Sequence, residues 1–217
     1  MAQILTPATL PTTDSPLVLH DISWEMYEKL LEVFAEHPSL RMTYYKGTLE
    51  LMTPLPEHET YGWTLGRLVA ALSEELGLEI RGLKSTTWRS KPKTAGKEAD
   101  ECFYIQNEAV VRGRDKLDLT VDPPPDLALE IDVTSRTHPS IYEALAVPEL
   151  WRFEKGKLQI NVLQKGKYIE STSSPTFPNF PLQQVIPEYL QQCKTVGRNK
   201  TMRAFRAWVR ETISKKI

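Results

Sequence analysis

Pro125-Asp126-Leu127-Ala128-Leu129-Glu130-Ile131-Asp132 is the run on which the architecture turns. It reads as a short apolar strand that nevertheless carries acids. An upstream run, Glu98-Ala99-Asp100-Glu101-Cys102-Phe103-Tyr104-Ile105, has the same character. A carboxylate beside a buried strand is costly unless something positive neutralises it. Side chains alternate along a strand, so Glu130 and Asp132 project from one face, and Asp100 can join them from a neighbouring strand. Three such acids would form the hard-oxygen cage that Mg²⁺ or Mn²⁺ prefers, and an ion held there polarises a phosphodiester. The same residues at strand ends are also compatible with carboxylates that simply face solvent.

The flanking sequence supplies the other layers. Ser23 precedes an amphipathic helix through Trp24, Tyr27, Leu30, Leu31 and Phe34, closed by His37-Pro38. Two β-like runs, 41–45 and 48–52, flank a Lys46-Gly47 turn. A long helix over 57–76 aligns Tyr61, Leu65, Leu68, Val69, Leu72 and Leu76, and Gly77 stops it. A strand over 78–88, a polar loop over 90–96 and the Asp100 strand follow. Beyond the irregular stretch 106–122, Pro123-Pro124-Pro125 leads into the Glu130 strand. A short helix near 139–145, three β runs (149–154, 158–164, 168–171) and a helical tail complete the order. This is an α/β or α+β layout with a mixed sheet flanked by helices. The expected divisions are an extension over 1–20, a main domain over 21–175 and a helical tail over 176–217 packed on it.

With 27 Lys and Arg against 28 Asp and Glu, the net charge of −1 gives no overall attraction to nucleic acid. Such binding would need a local patch, and Arg81, Lys84, Arg89, Lys91, Lys93 and Lys97 offer one. An ordinary solvated loop is the alternative. Cys102 and Cys193 are isolated, which argues against zinc and against a disulfide framework. No apolar stretch approaches the roughly 20 residues of a membrane span, and no signal peptide is evident, so a cytoplasmic, non-membrane protein is expected. Glu50 and His58 flank the Thr53–Pro56 turn and are second candidates for the same cleft, His58 as proton shuttle or phosphate contact.

Taken in order, several stretches resemble the Uma-two family of restriction-endonuclease-like proteins in the PD-(D/E)xK nuclease superfamily. They are the Trp24 helix, Tyr44-Tyr45-Lys46-Gly47-Thr48-Leu49-Glu50-Leu51-Met52-Thr53-Pro54, His58, residues 98–105, residues 125–135, and Tyr142-Glu143-Ala144-Leu145-Ala146-Val147-Pro148-Glu149-Leu150-Trp151. The resemblance implies a restriction-endonuclease-like fold and a Mg-dependent DNA endonuclease. Asp100 and Glu130 stand at the two acidic positions, with Asp132 assisting. Two departures stand out: Ala99 replaces the proline before the aspartate, and Asp132 fills the place of the superfamily lysine. No lysine occurs from Leu117 to Glu154, Arg136 is the nearest cation, and Lys84 or Lys97 could reach the site from adjacent elements. DNA is the expected partner, and a homodimer would supply two sites for two strands. A catalytically silent relative that binds nucleic acid or acts as an interaction protein is the alternative.

Overall fold

The computed structural model describes residues 16–36, 40–84, 86–132 and 139–215. Its strands are β1 (Leu17–Leu19), β2 (Arg41–Tyr45), β3 (Thr48–Met52), β4 (Arg81–Gly82), β5 (Thr87–Ser90), β6 (Ala95–Glu98), β7 (Glu101–Tyr104), β8 (Leu127–Asp132), β9 (Glu149–Glu154), β10 (Lys157–Gln164) and β11 (Lys167–Ser171). Its helices are α1 (Trp24–Val33), α2 (Pro56–Glu75), α3 (Glu108–Val111), α4 (Ser140–Ala144), α5 (Leu182–Thr195) and α6 (Arg198–Ser214).

The mixed α+β architecture is realised with two sheets. One has the order β1-β3-β2-β6-β5 and is antiparallel throughout. The other has the order β11-β10-β9-β8-β7-β4, and only its β8–β9 pair is parallel. The expected extension therefore contributes an edge strand, since Leu17, Val18 and Leu19 pair with Leu51, Glu50 and Leu49. The expected strand over 78–88 is two short pieces, β4 and β5. The expected loop over 90–96 holds a single 3-10 turn (Lys91–Lys93) and the start of β6. His37-Pro38 lies outside the described residues.

Local chemistry sets the element ends. Ser23 Oγ accepts from Met26 N–H at 3.1 Å and caps α1. Pro56 opens α2 where its missing N–H is harmless, and Glu57 and Glu59 in the first turn suit the helix dipole. Gly77, with φ +67°, ends the helix as expected.

The second sheet is covered on both faces. Leu127, Leu129 and Ile131 meet the Leu65, Leu68, Val69 and Leu72 face of α2. Ala128 and Leu150, on the other face, meet Ile141, Tyr142 and Leu145 in and just after α4. Helices α5 and α6 pack on α2. No helix among the described residues is long and apolar enough to cross a membrane.

Helix α1 seats Trp24 and Tyr27 on the outer face of the first sheet, where the Tyr27 ring stacks on Tyr44 at 4.7 Å. Gly96 lies beneath Tyr27: an added Cβ would overlap the Tyr27 hydroxyl and stand 2.7 Å from Cζ. Gly96→Ala is therefore expected to lower stability by about 1–3 kcal/mol through overpacking, read as an earlier urea midpoint. An unchanged midpoint would contradict that close approach.

Candidate active site

The chain leaves the first sheet at Glu98 and enters the second at Glu101, so Asp100 sits at the crossing between them. It is 5 % exposed. Its Oδ1 accepts from Arg41 Nη1, and its Oδ2 accepts the Ile131 N–H at 2.7 Å and lies 3.3 Å from His58 Nε2. Burial alone would raise the Asp100 carboxyl, but His58 and Arg41 outweigh it and hold the group below its ordinary value. Burial likewise opposes a charge on His58, yet its bond to Asp100 keeps the imidazole above the usual histidine range. Its Nδ1 is buried without a hydrogen-bond partner among the described residues. Arg41 also reaches outward, with Nη2 2.5 Å from Glu59 Oε1 on α2.

Glu130 projects from β8 on the α4 side and is 2 % exposed. Its Oε2 lies 3.1 Å from Lys97 Nζ, and its Oε1 accepts from the Tyr142 hydroxyl. Lys97 arrives there because it pairs with Thr43 on one side and Trp88 on the other, which fixes its face of the first sheet. Burial disfavours its charge, but Glu130 and Asp100 more than compensate and hold it above ordinary lysine. Burial, then the Glu130 charge, pushes the Tyr142 phenol far up, so it stays a neutral donor.

Asp132 shares the Glu130 face, as its spacing predicts, but it is engaged by Arg152, which is itself 2 % exposed. Among the described residues no three His, Cys, Asp or Glu side chains are grouped to hold a metal ion. The three-acid cage expected from the sequence is not seen among the described residues, because β9 places Arg152 beside β8 and Asp132 pairs with it.

Both carboxylates are already engaged, Asp100 by Arg41, the Ile131 N–H and His58, and Glu130 by Lys97 and Tyr142, so a divalent ion here would have to displace some of these partners. Glu59, Glu98, Asp100 and Glu130 all act on Arg41, and Arg41, Lys97 and His58 face them around this point. Burial raises Glu98 despite Arg41 and Lys97.

The other candidates are placed as follows. Glu50 is half-buried and, with Thr43, Tyr45, Thr48 and Ile141, lines a cleft of about 170 Å³. Thr43 is the strand partner of both Glu50 and Lys97, so this cleft lies beside the acid cluster. Lys97 itself is corrected: it is buried in the cluster and is not part of an exposed cationic surface. Lys84, Arg89, Lys91 and Lys93 are exposed; Arg89 faces Glu28 at 4.0 Å and Lys91 faces Glu25 at 3.3 Å. Arg89 and Lys91 line a groove of about 720 Å³ with Trp24, Trp88 and Lys116. Arg81 instead donates to main-chain oxygens of Val111 and Arg114. Arg136 lies outside the described residues.

Sequence reasoning did not single out Arg41, Tyr142 or Arg152. A signal was present for the two arginines: a permanent cation inside an apolar strand, as in Leu150-Trp151-Arg152-Phe153, requires a buried acid opposite.

The family model Uma2, described as "Putative restriction endonuclease", matches residues 24–194, well over half of the chain. The chain belongs to the Uma2 family. Arg41, His58, Lys97, Asp100, Glu130 and Tyr142 of this Uma2 protein all fall inside the matched span, whereas α6 lies beyond it. Among solved structures, a "putative nuclease belonging to DUF820" from Anabaena variabilis ATCC 29413 overlaps the chain with a TM-score of 0.41 and 10% identity, covering 61% of this chain and 78% of that one. No curated protein matches the chain.

Proposed function

We propose that this Uma2 protein is a magnesium-dependent DNA endonuclease with Asp100, Glu130 and Lys97 at its centre. The observation that carries the reading is the buried Lys97–Glu130 pair beside Asp100. The lysine missing two residues after Glu130 has a counterpart that arrives from β6. Asp100 and Glu130 would hold the ion, which supplies Lewis-acid charge at the scissile phosphate. Lys97 stabilises negative charge as it builds on the phosphate oxygens, in a site dry enough for that charge to count. Water adds to phosphorus and one ester P–O bond breaks, leaving a terminal phosphate and a free hydroxyl. Glu50 lines the approach to this point. Lys84, Arg89, Lys91 and Lys93 supply sequence-independent contacts to the DNA backbone. Cutting both strands calls for two sites, which a two-fold homodimer provides.

Nicking of supercoiled plasmid with Mg²⁺ or Mn²⁺ tests the reading. The wild type is expected to relax the plasmid, and Asp100→Ala and Glu130→Ala to lose at least about a hundredfold in rate. Variants that nick as fast as the wild type would sink the assignment. A second reading, a relative that binds nucleic acid without cutting, draws on the depth of the cluster, whose Asp100, Glu130 and Lys97 are each under a tenth exposed. DNA binding without nicking by the wild type would favour it.

A further inference from the structure

We infer that the seam between α2 and α6 binds a nucleic-acid backbone, through Trp63 and Arg67 on α2 and Arg198, Lys200 and Arg203 on α6. This rests on the nucleic-acid part of the proposed function and needs neither cleavage nor a metal ion. The two helices pack on each other, and their charges are matched at the later end of the seam. There Arg206 reaches Glu74 at 2.6 Å and Glu75 at 3.1 Å, and Arg210 reaches Glu75 at 2.6 Å. The earlier end is different. Arg67, Arg198, Lys200 and Arg203 form no ion pair among the described residues. Two of these cations are crowded together, with the guanidinium carbons of Arg67 and Arg198 lying 5.0 Å and 4.0 Å from the centre of the half-buried Trp63 ring.

A guanidinium over an indole face is a favourable contact, but two on one ring repel each other. The opening turn of α6 adds to that repulsion, because it holds Arg198 and Lys200 and no acid, the wrong sign for the start of a helix. An anion laid along the seam relieves both costs. Its chemistry follows from the layout. Arg203 stands three and seven residues before Arg206 and Arg210, so it shares their stripe, and Lys200 precedes it by three. On α2, Glu59, Trp63 and Arg67 are four residues apart and form a second stripe, roughly 12 Å long. That stripe begins at the Arg41–Glu59 pair beside the acid cluster and ends at the unpaired cations. A row of cations leading away from the cluster suits a chain that carries a phosphate at every repeat, and the arginine forks match phosphate oxygens. A single small anion would leave part of the row unmatched.

Fluorescence anisotropy of a labelled DNA duplex, titrated with the full chain in EDTA at several salt concentrations, tests this. Arg67→Gln combined with Arg198→Gln is expected to weaken binding about tenfold, and to reduce the slope of log affinity against log salt by about two. Lys157→Gln combined with Lys165→Gln removes as much charge from exposed positions at either end of β10, and should bind as the wild type does. No binding by the wild type, wild-type affinity in the seam variant, or an equal loss in both pairs overturns the inference. Anionic lipid vesicles held as tightly as the duplex would overturn it too, since the seam would then answer to charge alone. Should the Arg67 and Arg198 pair fail to fold, Lys200→Gln combined with Arg203→Gln, both exposed, carries the test with the same outcomes. The nuclease reading fails separately, through plasmid nicking that survives Asp100→Ala, and that result leaves the seam measurement standing.

Discussion

Lys97→Met is expected to slow the proposed DNA cleavage by about 10²–10³-fold, the usual loss when one preorganised charge at a reacting oxyanion is removed. The loss should fall on kcat, with KM little changed, because the ammonium acts on charge that develops only in the transition state. Lys97 is 6 % exposed and held above ordinary lysine by Glu130 and Asp100, so it is charged at any working pH. That charge sits 3.1 Å from Glu130 Oε2, beside the cleft that Glu50 lines. Lys97→Arg should restore part of the rate, since it returns the charge but forces a planar fork into a space built for an ammonium. Single-turnover cleavage of a labelled duplex measures these effects, with circular dichroism to show that each variant is folded. Wild-type rates in Lys97→Met would remove Lys97 from the chemistry and leave it a structural counter-ion.

Asp132→Ala is expected to destabilise the protein by about 3–5 kcal/mol, because it strands a buried guanidinium. Arg152 is 2 % exposed, its Nε lacks a hydrogen-bond partner among the described residues, and its ion pair is with Asp132. The double replacement Asp132→Leu with Arg152→Met should recover most of that loss, since apolar residues of similar size often replace a buried ion pair without penalty. Urea unfolding of the single and double variants measures both effects.

The extent to which this site can be read without coordinates depends on the range of each interaction. The hairpin 41–52, helix α2 and the run from β9 to β11 follow from patterns within a few residues, and the structure places them nearly where those patterns predict. The segment from Leu78 to Gly96 is different. Its pieces pair with strands far along the chain, β4 with β7 and β5 with β6, so a local reading merged two strands and turned part of β6 into a loop. The sequence left Lys97 between two places, the basic surface and the acidic site, and the structure puts it at the second. Once β6 is a central strand between β2 and β5, the same residue must point either into the core or away from it.

Asp100 and Glu130 were visible from composition alone, because acids in apolar runs demand partners. What composition could not supply was which partner each would meet. Arg41 and Asp100 are 59 residues apart, and Asp132 and Arg152 are 20 apart on parallel strands. The amino-acid order by itself determined the family and most of the element types, and it marked Asp100 and Glu130 as acids in need of partners, since periodicity, capping and residue chemistry act locally. Only the tertiary structure decided that Lys97 meets Glu130, that Arg41 and His58 meet Asp100, and that Asp132 is claimed by Arg152. Those choices depend on strand register and on the crossing between two sheets, and a shift of one residue in a strand would turn the charges it carries to the opposite face.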